Sequence, residues 1–167
     1  MKLTSPVDTW RISSGFGPRW GRMHNGVDIS VPVGTITRAP VKGIVTGAGF
    51  MSNDCGGTII IQHDNAFGPD KMSTAYCHMS EIDVKVGDNV SKGQIIGKTG
   101  GAQGAKGAGN STGPHLHFGF KIQGQWVDPD KYFEAGTLRS ASATKTIVFL
   151  VYMGALSYVV YSLLKKR

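Results

Sequence analysis

Glycine leaves this chain few ways to fold. Twenty-four of its 167 residues are Gly. Those at 34, 43, 56–57, 87 and 100–101 cut the first 140 positions into short runs with almost no helix-period patterning. Short alternating runs bounded by turn residues read as strands. They fall at 24–31 (Val27, Ile29 and Val31 against Asp28 and Ser30), 35–39, 41–47, 57–63, 72–78, 93–99 and 116–122. The expected fold is mainly β, a compact antiparallel sheet domain with Gly-rich loops, in one unit large enough for its own core. Residues 1–23 read as a polar leading segment with a turn cluster at 13–17. The Gly/Ala-rich stretch 100–109 has no core side chains and reads as a mobile loop forming one wall of a groove.

The formal net charge of +7 is divided unevenly. Residues 1–140 hold 14 basic against 11 acidic side chains, and residues 141–167 hold four basic and no acidic ones. The first part is thus mildly basic, with no Lys/Arg run and no aromatic-basic interleaving, which argues against a nucleic-acid partner. Cys55 and Cys77 form no metal-binding Cys motif. Two readings stay open: two small buried side chains, or one disulfide if the segments 58–63 and 73–78 pair as a hairpin.

Chemistry concentrates in three strings. His24-Asn-Gly-Val-Asp28 pairs an imidazole with a carboxylate four positions on, with Gly26 letting the backbone turn tightly. His115-Leu-His117 places two imidazoles at i and i+2 of a strand-like run, hence on one face. Tyr76-Cys77-His78 adds another imidazole after a third β-like run. A catalytic zinc takes three N/O ligands and keeps one open position, so some of these imidazoles have other work. His63, at a probable strand end and outside the three strings, reads as structural. Arg19 and Asn25 flank the first string and are candidate substrate contacts.

The order and spacing of these strings resemble the M23 metallopeptidases, the lysostaphin/LytM-type peptidoglycan endopeptidases. The resemblance extends to Ser14-Gly-Phe-Gly-Pro-Arg19, Val86-Gly-Asp-Asn-Val-Ser-Lys-Gly-Gln-Ile-Ile-Gly97, Asn110-Ser-Thr-Gly-Pro-His115 and Val127-Asp-Pro129, and covers roughly residues 5–135. It implies the LytM/lysostaphin type of β fold and one Zn2+ per chain held by His24, Asp28 and His117. It further implies His78 and His115 as the non-ligand catalytic histidines. Two neutral imidazoles and a carboxylate leave a zinc dication with net charge near +1, enough to bring a water pKa towards about 7. The implied activity is hydrolysis of peptide bonds in peptidoglycan. The alternative is an inactive M23-like domain that binds the wall or serves as a structural virion membrane protein.

Residues 146–164 carry no charge over nineteen positions, with Lys145 before them and Lys165-Lys166-Arg167 after. As a helix they span about 28 Å, the hydrocarbon thickness of a bilayer. The expected organisation is a peptidase-like domain over 1–135, a linker over 136–145, a transmembrane helix over 146–164 and a basic tail over 165–167. The N-terminus lacks an apolar stretch of the kind a secretory signal needs. Together these features lead to the expectation of a membrane-anchored phage enzyme, held in a virion's internal membrane and used at cell penetration. A bacterial envelope location is the alternative.

Overall fold

In a computed structural model of the chain, residues 3–51, 54–63 and 71–133 are described. Their strands are β1 (Ile12–Ser14), β2 (Gly17–Arg19), β3 (Arg22–His24), β4 (Val27–Ile29), β5 (Ile36–Arg38), β6 (Gly43–Phe50) and β7 (Gly57–His63). There follow β8 (Met72–Cys77), β9 (Met79–Ile82), β10 (Asn89–Val90), β11 (Ile95–Thr99), β12 (Leu116–Ile122) and β13 (Gln125–Val127), then a 3-10 turn at Pro129–Tyr132. The main sheet has eight strands in the order β1-β4-β12-β8-β7-β6-β10, with β13 also paired to β12. A three-stranded sheet, β5-β11-β9, and the β2-β3 hairpin complete it.

The β-branched and aromatic residues that favour these strands also fill the core. Val27, Ile29, Ile59, Ile61, Tyr76, Leu116, Phe118 and Phe120 are all at most 1% exposed. Phe118 is central, edge-on to Tyr76 at 5.4 Å and to Trp10 at 6.5 Å between ring centres. Aromatic pairs in this geometry add to area burial. Phe118→Ala is expected to cost about 3–5 kcal/mol, measurable as a fall in the denaturation midpoint.

Register positions the site. β12 pairs antiparallel with β4 through His117↔Asp28, and with β8 through His117↔Cys77. One row across three strands therefore contains Asp28, His117 and the residue before His78.

Several expectations need revision. The polar leading segment, read with a turn cluster and no strand, supplies β1, β2 and most of β3. The run 24–31 is not one strand, because Asn25-Gly26 interrupt it, leaving His24 at the end of β3 and Asp28 inside β4. Alternation fails at β4, where all three residues are buried. Strands β9, β10 and β13 escaped the reading because they are two to four residues long and lack an apolar alternation. The stretch 100–109 is tied down rather than loose. Gly57 N–H donates to the Gly107 carbonyl, Asn110 N–H to the Asp54 carbonyl, and Ala108 is 1% exposed.

The open question about the cysteines is answered by a Cys55–Cys77 disulfide. It accompanies the antiparallel pairing of β7 with β8, Ile59 opposite Tyr76. Among the described residues, no helix is long and apolar enough to cross a membrane. The expected linker 136–145, transmembrane helix 146–164 and tail 165–167 lie outside the described residues.

Candidate metal centre

Three side chains converge where β3, β4 and β12 meet. His24 Nε2 lies 3.1 Å from Asp28 Oδ1, His117 Nδ1 lies 2.9 Å from the same oxygen, and the two ring nitrogens are 3.0 Å apart. Among the described residues this is the group of His, Cys, Asp and Glu side chains arranged to hold a metal ion. His24 is 5% and Asp28 8% exposed, while the His117 side chain retains 18% exposure. The cluster is thus walled on the sheet side and accessible from His117.

Gly26 lies at the bend between β3 and β4, as expected of it, and has a further role here. Its φ is not positive. What its position requires is space: a Cβ there would stand 2.5 Å from the Phe118 carbonyl oxygen and 2.8 Å from His117 Nε2. Gly26→Ala would push the His117 ring away from the cluster. The expected result is zinc affinity reduced by at least about tenfold, the scale of a disturbed supporting contact, read by competition with a chromophoric chelator.

Backbone carbonyls fix the tautomers. A carbonyl only accepts, so each ring nitrogen facing one carries the proton. His24 Nδ1 donates to the Gly15 carbonyl at 2.6 Å, His78 Nδ1 to that of Ala108 at 2.7 Å, and His115 Nδ1 to that of Gly113 at 2.8 Å. In the neutral form of each ring this leaves Nε2 bare. For His24 that lone pair faces the Asp28 carboxylate and the His117 ring. Acceptor against acceptor is unfavourable unless a cation lies between them. Donors spaced by 2.9–3.1 Å suit one ion about 2.0–2.2 Å from each.

Positive charge at this point, whether carried by the rings or by an ion, favours the ionised carboxylate. Burial works to raise the Asp28 pKa, but its contacts with His117 and His24 outweigh that and hold the carboxyl far below the usual carboxylate range. Arg19 Nη1 lies 3.3 Å from Asp28 Oδ2 and also donates to Ser14 Oγ. Arg19, a candidate substrate contact, orients the carboxylate and leaves Oδ1 to the imidazoles. Neither Ser14 nor the carbonyls of Gly15, Ala108 and Gly113 were singled out from the sequence. A carbonyl is present at every residue and carries no signal. Asn25 is half-buried, and His63 lies apart with Nδ1 on the Lys42 carbonyl and Nε2 on Thr74 Oγ1, both at 2.9 Å.

His78 and His115 flank the cluster. Their ring centres are 4.6 Å apart, and His115 Nε2 is 3.7 Å from Asp28 Oδ1. Burial, then repulsion from His115, lowers the His78 pKa to about 4, against a smaller raising effect of the Ala108 hydrogen bond. A bound dication would push the same way. His78 should therefore stay neutral across pH 5–8, the range in which free imidazole titrates. Its ring-proton NMR shift is expected to be flat there. A titration near 6.5, the ordinary value, would refute this environment.

His78 has φ +63°, which is unfavourable for a side chain with a Cβ. Three ties hold it. The disulfide anchors the preceding Cys77, the His78 N–H donates to the Cys55 carbonyl at 2.8 Å, and the ring is fixed on Ala108. The disulfide closes a segment with a sequence separation of 22. Its loss in a Cys55→Ser/Cys77→Ser variant is expected to cost about 3 kcal/mol, read as a lower unfolding midpoint, with zinc content retained.

A largely buried His/Asp/His cluster with two further imidazoles beside it defines a metal-dependent enzyme site. The chain belongs to peptidase family M23, whose family model matches residues 22–129. It is 37% identical over 139 residues to the peptidoglycan DD-endopeptidase ShyA of Vibrio cholerae, covering 75% of this chain and 28% of that protein. The chain therefore spans under a third of the length of that relative. Among solved structures it is similar to a zinc-containing peptidase from Vibrio cholerae (32% identity, TM-score 0.65, 77% of this chain and 39% of that one). It is also similar to the catalytic domain of the antimicrobial peptidase lysostaphin from Staphylococcus simulans (32% identity, TM-score 0.63, 74% and 91%). The mainly β, nearly helix-free fold is shared with the latter, and the cofactor is zinc.

Proposed function

We propose that this chain is a zinc endopeptidase that cuts peptide bonds in bacterial peptidoglycan, with His24, Asp28 and His117 holding the metal. The observation that carries this reading is the convergence of His24 Nε2, Asp28 Oδ1 and His117 Nδ1 within 3.1 Å of one another, beside two imidazoles with bare nitrogens. When bound, zinc supplies Lewis acidity, which acidifies water and polarises a scissile carbonyl. The protein residues do the rest. His115, with its Nδ1–H committed to Gly113, offers Nε2 as acceptor for a proton of the attacking water. The proton that His115 accepts is then available to the departing amine, while His78, neutral and held by Ala108, offers its bare Nε2 to the same space as an acceptor. Arg19 orients Asp28 through Oδ2. ShyA's designation as a peptidoglycan DD-endopeptidase supports the substrate class.

Purified sacculi test it. Zinc-loaded protein should lower their turbidity, a chelator should abolish the effect, and added zinc should restore it. Turbidity loss indifferent to chelation, or none at all with one zinc bound per chain, would overturn the proposal. The inactive wall-binding alternative gains no support from a site with all five side chains in place.

The same proposal extends to the setting. Residues 146–164 hold the enzyme on a bilayer, supported by nineteen uncharged positions between basic flanks. A wall-cutting domain joined to a membrane span suits a phage virion with an internal membrane. Val151→Arg, in the middle of the span, is expected to weaken membrane insertion by about 2.5–3.5 kcal/mol. Carbonate extraction of membranes reads the change. A full-length protein that never sediments with membranes would remove the anchor.

A further inference from the structure

Trp20 is the most exposed large hydrophobic side chain among the described residues, at 93%. It stands at the tip of the β2-β3 hairpin, in a two-residue turn with Trp20 at φ +45° and Gly21 at φ +73°. A turn of this hand favours Asn-Gly, and an indole at its first position costs backbone energy. Trp20 returns nothing to the fold through burial. Its described contact is the Arg19 guanidinium, 5.5 Å from the ring centre. An exposed side chain in an unfavourable backbone conformation points outside the fold for its reason.

The hairpin has a second anomaly. Arg19 lies directly opposite Arg22, and Gly17 opposite His24. By strand alternation both guanidinium side chains share a face with His24. Like charges directly across a ladder are destabilising. Arg19 is drawn in to Asp28, while Arg22 is exposed and no ion pair is described for it. The tip also has a fixed relation to the metal centre. Arg19 ties β2 to Asp28, and His24 at the end of β3 is level with Gly17, so Trp20 sits about 10 Å along the hairpin from that histidine.

We infer that the hairpin tip, Trp20 with Arg22, is a binding platform for the glycan strand of the substrate: the indole stacks on a sugar ring, and the guanidinium meets a carboxylate the polymer carries. The inference rests on the function proposed above. A flat apolar face next to a cation fits a carboxylate-bearing saccharide, which presents C–H faces and anionic groups together. A bilayer is the less suitable partner, because the one other exposed large apolar side chain described on the hairpin, Met23, alternates to the face away from Arg22.

The test measures binding rather than turnover, using the full chain in detergent with His115→Ala to prevent digestion. Co-sedimentation is measured with purified sacculi and with glycan strands stripped of stem peptides. Trp20→Asn is the informative variant, because Asn-Gly is the favoured turn and the fold should be kept or strengthened. It is expected to weaken binding to both polymers at least tenfold, with the unfolding midpoint not lowered. Trp20→Tyr should recover most of the binding, and Arg22→Gln should weaken it and flatten its salt dependence. Unchanged binding of Trp20→Asn to stripped glycan would overturn the inference. So would a Trp20-dependent blue shift in emission with phosphatidylglycerol vesicles and none with glycan, which would make the tip a bilayer contact. Failure of the hydrolase reading would look different: Trp20-dependent binding intact, with no digestion by the chain carrying His115.

Discussion

His117→Ala is expected to empty the metal centre. His117 Nδ1 is 2.9 Å from Asp28 Oδ1 and 3.0 Å from His24 Nε2, so its removal leaves one imidazole and one carboxylate to hold an ion. Disturbing even a supporting contact of a zinc site costs about 10–100-fold in affinity. Loss of a ligand should exceed that and leave the purified variant with little zinc and no hydrolysis. The fold should survive at low temperature, since β12 keeps Leu116, Phe118 and Phe120, each 0% exposed. Zinc content by atomic absorption, beside a circular dichroism spectrum, reads both. Full occupancy in a folded variant would remove His117 from the ligand set.

The second large effect separates ligands from catalysts. His115→Ala and His78→Ala should each retain zinc while losing activity about 10²-fold or more, the range for removing a proton-transfer or transition-state hydrogen-bonding group. Both rings reach the centre through the bare nitrogen opposite a carbonyl-bound Nδ1. Replacement removes that nitrogen without touching the three converging donors. The loss should appear in kcat with KM little changed, because neither ring is required for substrate to dock. Loss of zinc in either variant, equal to that in His117→Ala, would show that the roles were mis-sorted.

Much of this site is legible in the amino-acid sequence, for a physical reason. Metal ligands and catalytic imidazoles are side chains of rare, chemically distinctive types, and strand alternation already placed His115 and His117 on one face. What supports them is less visible. The carbonyls of Gly15, Ala108 and Gly113 fix three tautomers, yet they come from the backbone. Arg19 is visible as a residue, but its turn towards Asp28 depends on a hairpin too short to show periodicity. Gly26 was visible for half of its reason. It reads as a turn residue and lies at a bend, but the close approach of His117 and Phe118 that also requires it carries no sequence signal.

The fold divides in the same way. The long apolar strands β7, β8 and β12 stand out because alternation and β-branching reinforce each other over six or seven residues. β4 reads differently from its surroundings because it is covered on both sides, so burial overrides alternation. The polar strands β2 and β3 have three residues each and depend on cross-strand pairing. The Gly-rich stretch 100–109 shows how composition misleads. Small residues there permit close packing, as at Gly109 between Asp54 and Gly56, rather than motion.

The most direct test is mass spectrometry of the soluble products released from purified sacculi by the zinc-loaded protein. The expected result is conversion of cross-linked muropeptides into smaller species, each cleavage adding one water across a peptide bond and exposing a new amine. No new reducing sugar ends should form, and His115→Ala with zinc bound should release almost nothing. Products cut between sugars, or peptide cleavage that proceeds equally in the chelated protein, would contradict a zinc peptidase centred on His24, Asp28 and His117.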